Sequence, residues 1–356
     1  MAGIFALTAG FGHGIAYAEE RYVYVGGTPL GIAIGADGLI VTGFTEITTE
    51  DGAVYPLAGA DVARGDVIKA MDGVKTTNLY EFRKRVAESD GDVTLTVQRQ
   101  GAVFDVNVRP VREIATDDYR LGVTLKEDVG GIGTLTFVTE EGGYAALGHH
   151  IRDPETGLGD ELQKGRLYPV SIENVVRGEK GKAGGLQAGI NRLQTPIGEN
   201  VCNTPIGIYG KYYAEPAGER IRVANKGEAR MGRAQVLTTL DGTEPKLYDV
   251  DIVKVVSQSE SAEKGLVLSV SDGELLDKAG GIVQGMSGSP IIQNGLLVGA
   301  VTHVFVTDPT RGYGVHARFM LDNAEAVTAA DKRAAEQPPY CGALYGSEDY
   351  GRKEAA

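Results

Sequence analysis

The 356 residues contain no tryptophan and only two cysteines, Cys202 and Cys341. There is no Cys-x-x-Cys pair, so neither a disulfide-dense scaffold nor a clustered zinc site is supplied. A Cys202–Cys341 bridge is open, but two lone thiols are the expectation. Histidine is sparse too, with His13, His149, His150, His303 and His316 scattered along the chain. No metal or cofactor is called for. Basic residues are in the minority: 35 Lys and Arg against 48 Asp and Glu give a net charge of −13. A nucleic-acid binder needs a basic face to displace counterions from phosphate, so that class is excluded. Long apolar runs are also missing. The first 18 residues, MAGIFALTAGFGHGIAYA, are the most apolar, but fall short of the ~20 that a spanning helix needs. They end in Ala16-Tyr17-Ala18 and read as a signal peptide or a membrane-anchor remnant, so any membrane association is expected through the N-terminus.

Glycine is abundant, at 51 residues. With Val, Ile and Thr around it, it signals short strands joined by tight turns, since glycine reaches the positive φ such turns use. A mainly β chain of two domains and a tail is expected. Pro29-Leu30-Gly31-Ile32 opens an alternating strand, and Asp37-Gly38 turns into a second. The run Ala60 to Ile68 ends in Gly65-Asp66-Val67-Ile68, and Asp72-Gly73 follows. Leu79, Phe82 and Val86 then recur at helical spacing behind Thr77 or Asn78 as N-cap. Val93–Gln98 and Val103–Val108 close a hairpin. That order resembles a PDZ domain over residues 22–112. The resemblance implies that Pro29, Leu30, Gly31 and Ile32 form a loop whose N–H groups receive the carboxylate of a chain-end peptide.

Residues 116–322 are again strand-like, and 323–356 read as a polar tail with a surface helix or loose chain. Within the second domain stands Gly285-Met286-Ser287-Gly288-Ser289-Pro290. A serine among small residues on a tight turn lets a substrate backbone approach its hydroxyl, and the N–H groups of Gly285 and Ser287 can converge as an oxyanion hole. The apolar runs after it bracket Asn294-Gly295, so the serine precedes a hairpin. That favours a β-barrel peptidase over an α/β-hydrolase. Serine needs a base. His149, after the strand Tyr144–Leu147 and Gly148, is the best candidate, and His303 is its chief rival. The reading requires an imidazole about 3 Å from the Ser287 hydroxyl. For the orienting acid, Asp153, Asp272, Asp277 and Asp308 are all open, because a triad is assembled in space and not by spacing.

Leu147-Gly148-His149, Asp272 with Leu275-Leu276, the run Gly280 to Gly295, Ala300 to Val306 and Gly312 to His316 together resemble the stage IV sporulation protein B peptidases. That resemblance implies a PDZ-like α+β domain followed by a chymotrypsin-like double β-barrel peptidase domain. It also implies a triad of Ser287, His149 and Asp272. The activity it implies is that of a serine endopeptidase, exported into the space between mother cell and forespore. There it cleaves itself and a membrane-protein regulator and so triggers processing of a late sigma factor. Two other readings stand beside it: a non-catalytic PDZ scaffold, and a broad extracytoplasmic quality-control protease.

Overall fold

The computed structural model describes residues 20–333. The leader expected over residues 1–18, and the tail beyond 333, lie outside the described residues. Two closed six-stranded antiparallel barrels form the body. Around the first ring run Pro29–Gly35, Val129–Thr139, Gly143–Ala146, Gly207–Tyr212, Gly198–Thr204 and Lys164–Pro169. Around the second run Leu296–Phe305, Pro290–Gln293, Gly232–Thr238, Lys246–Val255, Leu266–Val270 and Asp308–His316. Tyr22–Val25 and Arg220–Val223 bridge the two rings, the former pairing with Val129–Thr139 and the latter running parallel to Leu296–Phe305. This bears out the mainly β, chymotrypsin-like double-barrel expectation.

The period-2 pattern explains why these segments close into barrels. Ala234, Val236 and Thr238 point inward on one strand, and Tyr248, Val250 and Ile252 on its neighbour. Closure leaves no free edge within either ring. Leu30, Ile32, Ile34, Leu135, Leu167 and Ile208 fill the first core. Val236, Val250, Leu266, Leu268 and Ile291 fill the second.

The small unit is an insertion in the first barrel. Leu39–Phe44, Val67–Met71, Val74–Lys75, Val93–Arg99, Ala102–Val108 and Val123–Lys126 form one sheet. Helix α1 (Leu79–Ala87) packs on it through Phe82 and Val86, and the Asn78 side chain caps it at the Glu81 N–H, 3.0 Å away. The chain then re-enters the barrel at Val129. The expected boundary of 22–112 is therefore corrected. Residues 22–35 belong to the barrels, because their backbone partners lie there: Pro29–Gly35 pairs with Val129–Thr134 on one side and Lys164–Pro169 on the other.

The polar tail expected from residue 323 is also corrected. Helix α2 spans Gly273–Ala279, and helix α3 spans Ala317–Arg333, running through the expected boundary. Ala317, Met320, Leu321, Ala324 and Val327 are spaced on one helical face and buried against the barrels. Cys202 is buried and disulfide-bonded rather than a lone thiol, while Cys341 lies outside the described residues. Among the described residues, no helix is long and apolar enough to cross a membrane.

Candidate active site

A cavity of about 600 Å³ opens where the two barrels meet. Ser287, Gly285, His149, His150 and His303 all line it, among Ile132, Leu147, Val283 and Val304. The structure thus brings the expected nucleophile and both candidate bases into one cleft.

Ser287 sits on the turn between α2 and the strand Pro290–Gln293. Met286 is fully buried, an anchor of about 1.5–3 kcal/mol. Two threonines on one face of Val129–Thr139 clamp the turn from the first barrel. The Thr134 hydroxyl donates to the Gly285 carbonyl at 2.8 Å, and the Thr136 hydroxyl to the Gly288 carbonyl at 2.8 Å. The Thr134 N–H donates to the Ser287 carbonyl at 2.9 Å. With these carbonyls held, the N–H groups of Gly285 and Ser287 have no acceptor among the described residues. That leaves them available to a developing oxyanion. Ser289 is fully buried and its hydroxyl donates to Thr238 Oγ1 at 2.9 Å, so it braces the second barrel.

His149 leaves the first barrel after a tight turn. Leu147 adopts φ +67° and Gly148 φ +71°. A non-glycine residue in this region carries strain of about 1–3 kcal/mol, here beside the candidate base. His149 Nδ1 lies 2.9 Å from the His150 carbonyl. A carbonyl can only accept, so Nδ1 carries the proton and Nε2 keeps its lone pair. Burial pushes the His149 pKa below the ordinary histidine value, opposed by that backbone bond and by the Glu263 carboxylate. His150 lies beside Asp160, with Nε2 3.5 Å from its carboxylate. His316 donates from Nε2 to the Val256 carbonyl at 3.0 Å.

His303 stands next to Thr302 in a bulge of the strand Leu296–Phe305, where pairing with Asp308–His316 slips between Val301 and Val304. Bulges re-aim side chains. Here the bulge presents the Thr302 carbonyl to Ser287, whose hydroxyl donates to it at 2.7 Å. It also sets the His303 ring against that of His149, with centroids 4.7 Å apart. The direct serine–imidazole hydrogen bond expected from sequence is therefore absent among the described contacts.

Two expected placements are corrected. Asp272 is the N-cap of α2. Its carboxylate accepts from the Leu275 N–H at 3.0 Å and the Asp249 N–H at 3.2 Å, so it is satisfied by backbone and does not line the cavity. Asp153 pairs with Lys126 at 2.8 Å, and Asp308 accepts from the Thr310 hydroxyl at 2.6 Å. Neither they nor Asp277 line the cavity. Pro29, Leu30, Gly31 and Ile32 form no carboxylate loop. They are a buried barrel strand, and a Cβ at Gly31 would stand 2.7 Å from Val170. Sequence reasoning missed Thr134 and Thr136, whose i, i+2 spacing on a strand was the available signal.

Paired six-stranded barrels with a serine and histidines in the cleft between them have the architecture of chymotrypsin-like serine peptidases. The chain belongs to the SpoIVB peptidase S55 family, whose model matches residues 117–321. No curated protein matches the chain.

Proposed function

We propose that the chain is a sporulation serine endopeptidase in which Ser287 is the nucleophile and His149 the general base. One observation carries this reading: Ser287 and His149 share the inter-barrel cleft beside two N–H groups without acceptors among the described residues. The Ser287 hydroxyl turns from the Thr302 carbonyl toward His149 Nε2. Its proton passes to that nitrogen as Oγ attacks a peptide carbonyl. The N–H groups of Gly285 and Ser287 hold the oxyanion, and His149 then protonates the leaving amine.

The same reading extends to the substrates. The enzyme acts outside the cytoplasm, between mother cell and forespore. There it cleaves itself and a membrane-protein regulator, and so triggers late sigma-factor processing. The inserted unit is a PDZ-like module for chain-end peptides. A second cavity between α1 and the strand Val123–Lys126, lined by Phe82, Val86, Val123 and Leu125, supports peptide docking there.

The test is expression of the full chain with and without Ser287→Ala, followed by gel and mass spectrometry. Self-cleavage fragments should vanish in the variant. Identical patterns in both would leave a non-catalytic scaffold. Efficient hydrolysis of casein would favour a broad quality-control protease.

A further inference from the structure

We infer that Lys126 is a positioning residue for the peptidase reaction: from the inserted unit it holds, through the buried Asp153, the loop that follows His149 and walls the cleft. This rests on the proteolytic reading above. Residues 150–159 follow the base directly, and His150, Ile151, Arg152 and Pro154 line the cavity. The neck of this loop is tied to its own barrel. There the Asn203 side chain accepts from the Ile151 N–H at 2.9 Å and donates to the Ile151 carbonyl at 2.9 Å. The tip is tied to the inserted unit. Lys126 Nζ stands 2.8 Å from Asp153 and 3.0 Å from Glu155. Asp153 is only 2% exposed, and it also accepts from the Glu155 and Thr156 N–H groups and from the Thr156 hydroxyl. One carboxylate thus gathers the tip of the loop and receives the ammonium. The Arg64–Glu155 pair, 3.6 Å long and half exposed, adds little.

The force of the contact comes from where each end is anchored. Lys126 ends the strand Val123–Lys126, and its backbone is paired with Ile40 in the inserted sheet. Val123 and Leu125 of that strand line the second cavity, beside α1. One strand therefore meets the docking cavity at two side chains and the loop of the cleft at a third. A buried carboxylate stripped of its partner is strongly unfavourable, so the tip of the loop follows Lys126. With the tip held, Arg152 and Pro154 keep one wall of the cleft in place against an incoming substrate backbone. A misplacement of about 1 Å in such a wall can cost about a hundredfold in rate. Lys126 touches no reacting atom and acts through Asp153 and this loop. The strand that carries the docking site thus also carries the hold on the cleft, and this pair is the route by which the inserted unit governs the peptidase.

Two measurements on the full chain test this. The first is the rate at which a fluorophosphonate labels Ser287, followed to saturation. Lys126→Met should lower the limiting rate about tenfold. Lys126→Arg, whose guanidinium also grips a carboxylate, should keep most of it. Lys126→Met combined with Asp153→Asn removes both charges and leaves neither buried alone, so the double variant should fold and still label as slowly as Lys126→Met. The second measurement is hydrogen exchange at the amides of Asp153, Glu155, Thr156 and Gly157. Exchange there should quicken about tenfold in the double variant, while the strands of the second barrel keep their wild-type protection. Wild-type labelling in the folded double variant overturns the inference, and so does wild-type exchange in the loop. Failure of the wild type to label, or equal labelling of Ser287→Ala, overturns the proteolytic reading instead, and the exchange still shows whether Lys126 holds the loop.

Discussion

Ser287 and Thr302 are joined by a hydrogen bond from the hydroxyl to the backbone carbonyl, 2.7 Å long. A hydroxyl so engaged presents its proton to a group that cannot remove it, and the structure is therefore a resting arrangement. Transfer to His149 first requires the Ser287 side chain to leave that carbonyl. In free enzymes catalytic hydrogen bonds are often long or misaligned and tighten only around substrate. The Thr302 carbonyl is placed by the bulge that also places His303, so movement of this one segment would release the nucleophile and reset the histidine pair together.

The position of Asp272 gives a sharp prediction. As an N-cap, it can be replaced by asparagine, which caps about as well as aspartate. Asp272→Asn should leave stability within a few tenths of a kcal/mol, and the rate of Ser287 labelling within a few-fold. Asp272→Ala should cost about 1 kcal/mol in urea unfolding. An acid that orients the base would behave differently, because its replacement by asparagine costs on the order of 10⁴ in kcat. Such a loss in Asp272→Asn, with the fold intact, would restore the aspartate to the triad.

Much of the body was legible in the sequence because strand periodicity is local. Tyr144–Leu147 is readable as a strand, and the observed element, Gly143–Ala146, falls within one residue of it. Partner choice was not legible. Pro29-Leu30-Gly31-Ile32 alternates as any strand does, and nothing within it says that its neighbours are Val129–Thr134 and Lys164–Pro169. The nucleophile turn was visible because its small residues are consecutive. An acid beside the base was not, since its place is set by tertiary pairing and not by spacing. Asp272 carried the spacing of a resemblance, while its neighbours Gly273 to Ala279 carried the helix that it caps.

Gly288, on the nucleophile turn of the second barrel, lies close against the backbone of the first. A Cβ there would stand 2.1 Å from the Thr134 carbonyl oxygen and 2.5 Å from the Leu147 nitrogen, at φ +95°. Both obstacles are backbone, and one belongs to the turn that carries His149. Gly288→Ala should therefore destabilise the protein by about 2–3 kcal/mol in urea unfolding and abolish Ser287 labelling. Gly273→Ala is the matched control, because a Cβ there meets nothing within 4 Å. If Gly288→Ala unfolds at the wild-type urea midpoint, the close approach of the two loops is wrong.

Stability should depend on pH through the histidines. Burial is the leading cause that lowers the pKa of His149, His150, His303 and His316, the third to about 4. In the folded protein these rings stay neutral where the unfolded chain, at about 6.5, already binds protons. The unfolded state therefore gains protons as pH falls. The stabilisation is complete above about 6.5, and it is lost progressively as pH drops through the folded values. The melting temperature should be level at neutral pH and decline from about pH 6.5 toward 4. Carboxylates held low, such as Asp153 beside Lys126, act in a window below that. His303→Gln removes one of the four rings and should flatten the decline, most visibly between pH 6 and 4. A melting temperature independent of pH across this range would mean that these imidazoles are not buried as neutral groups.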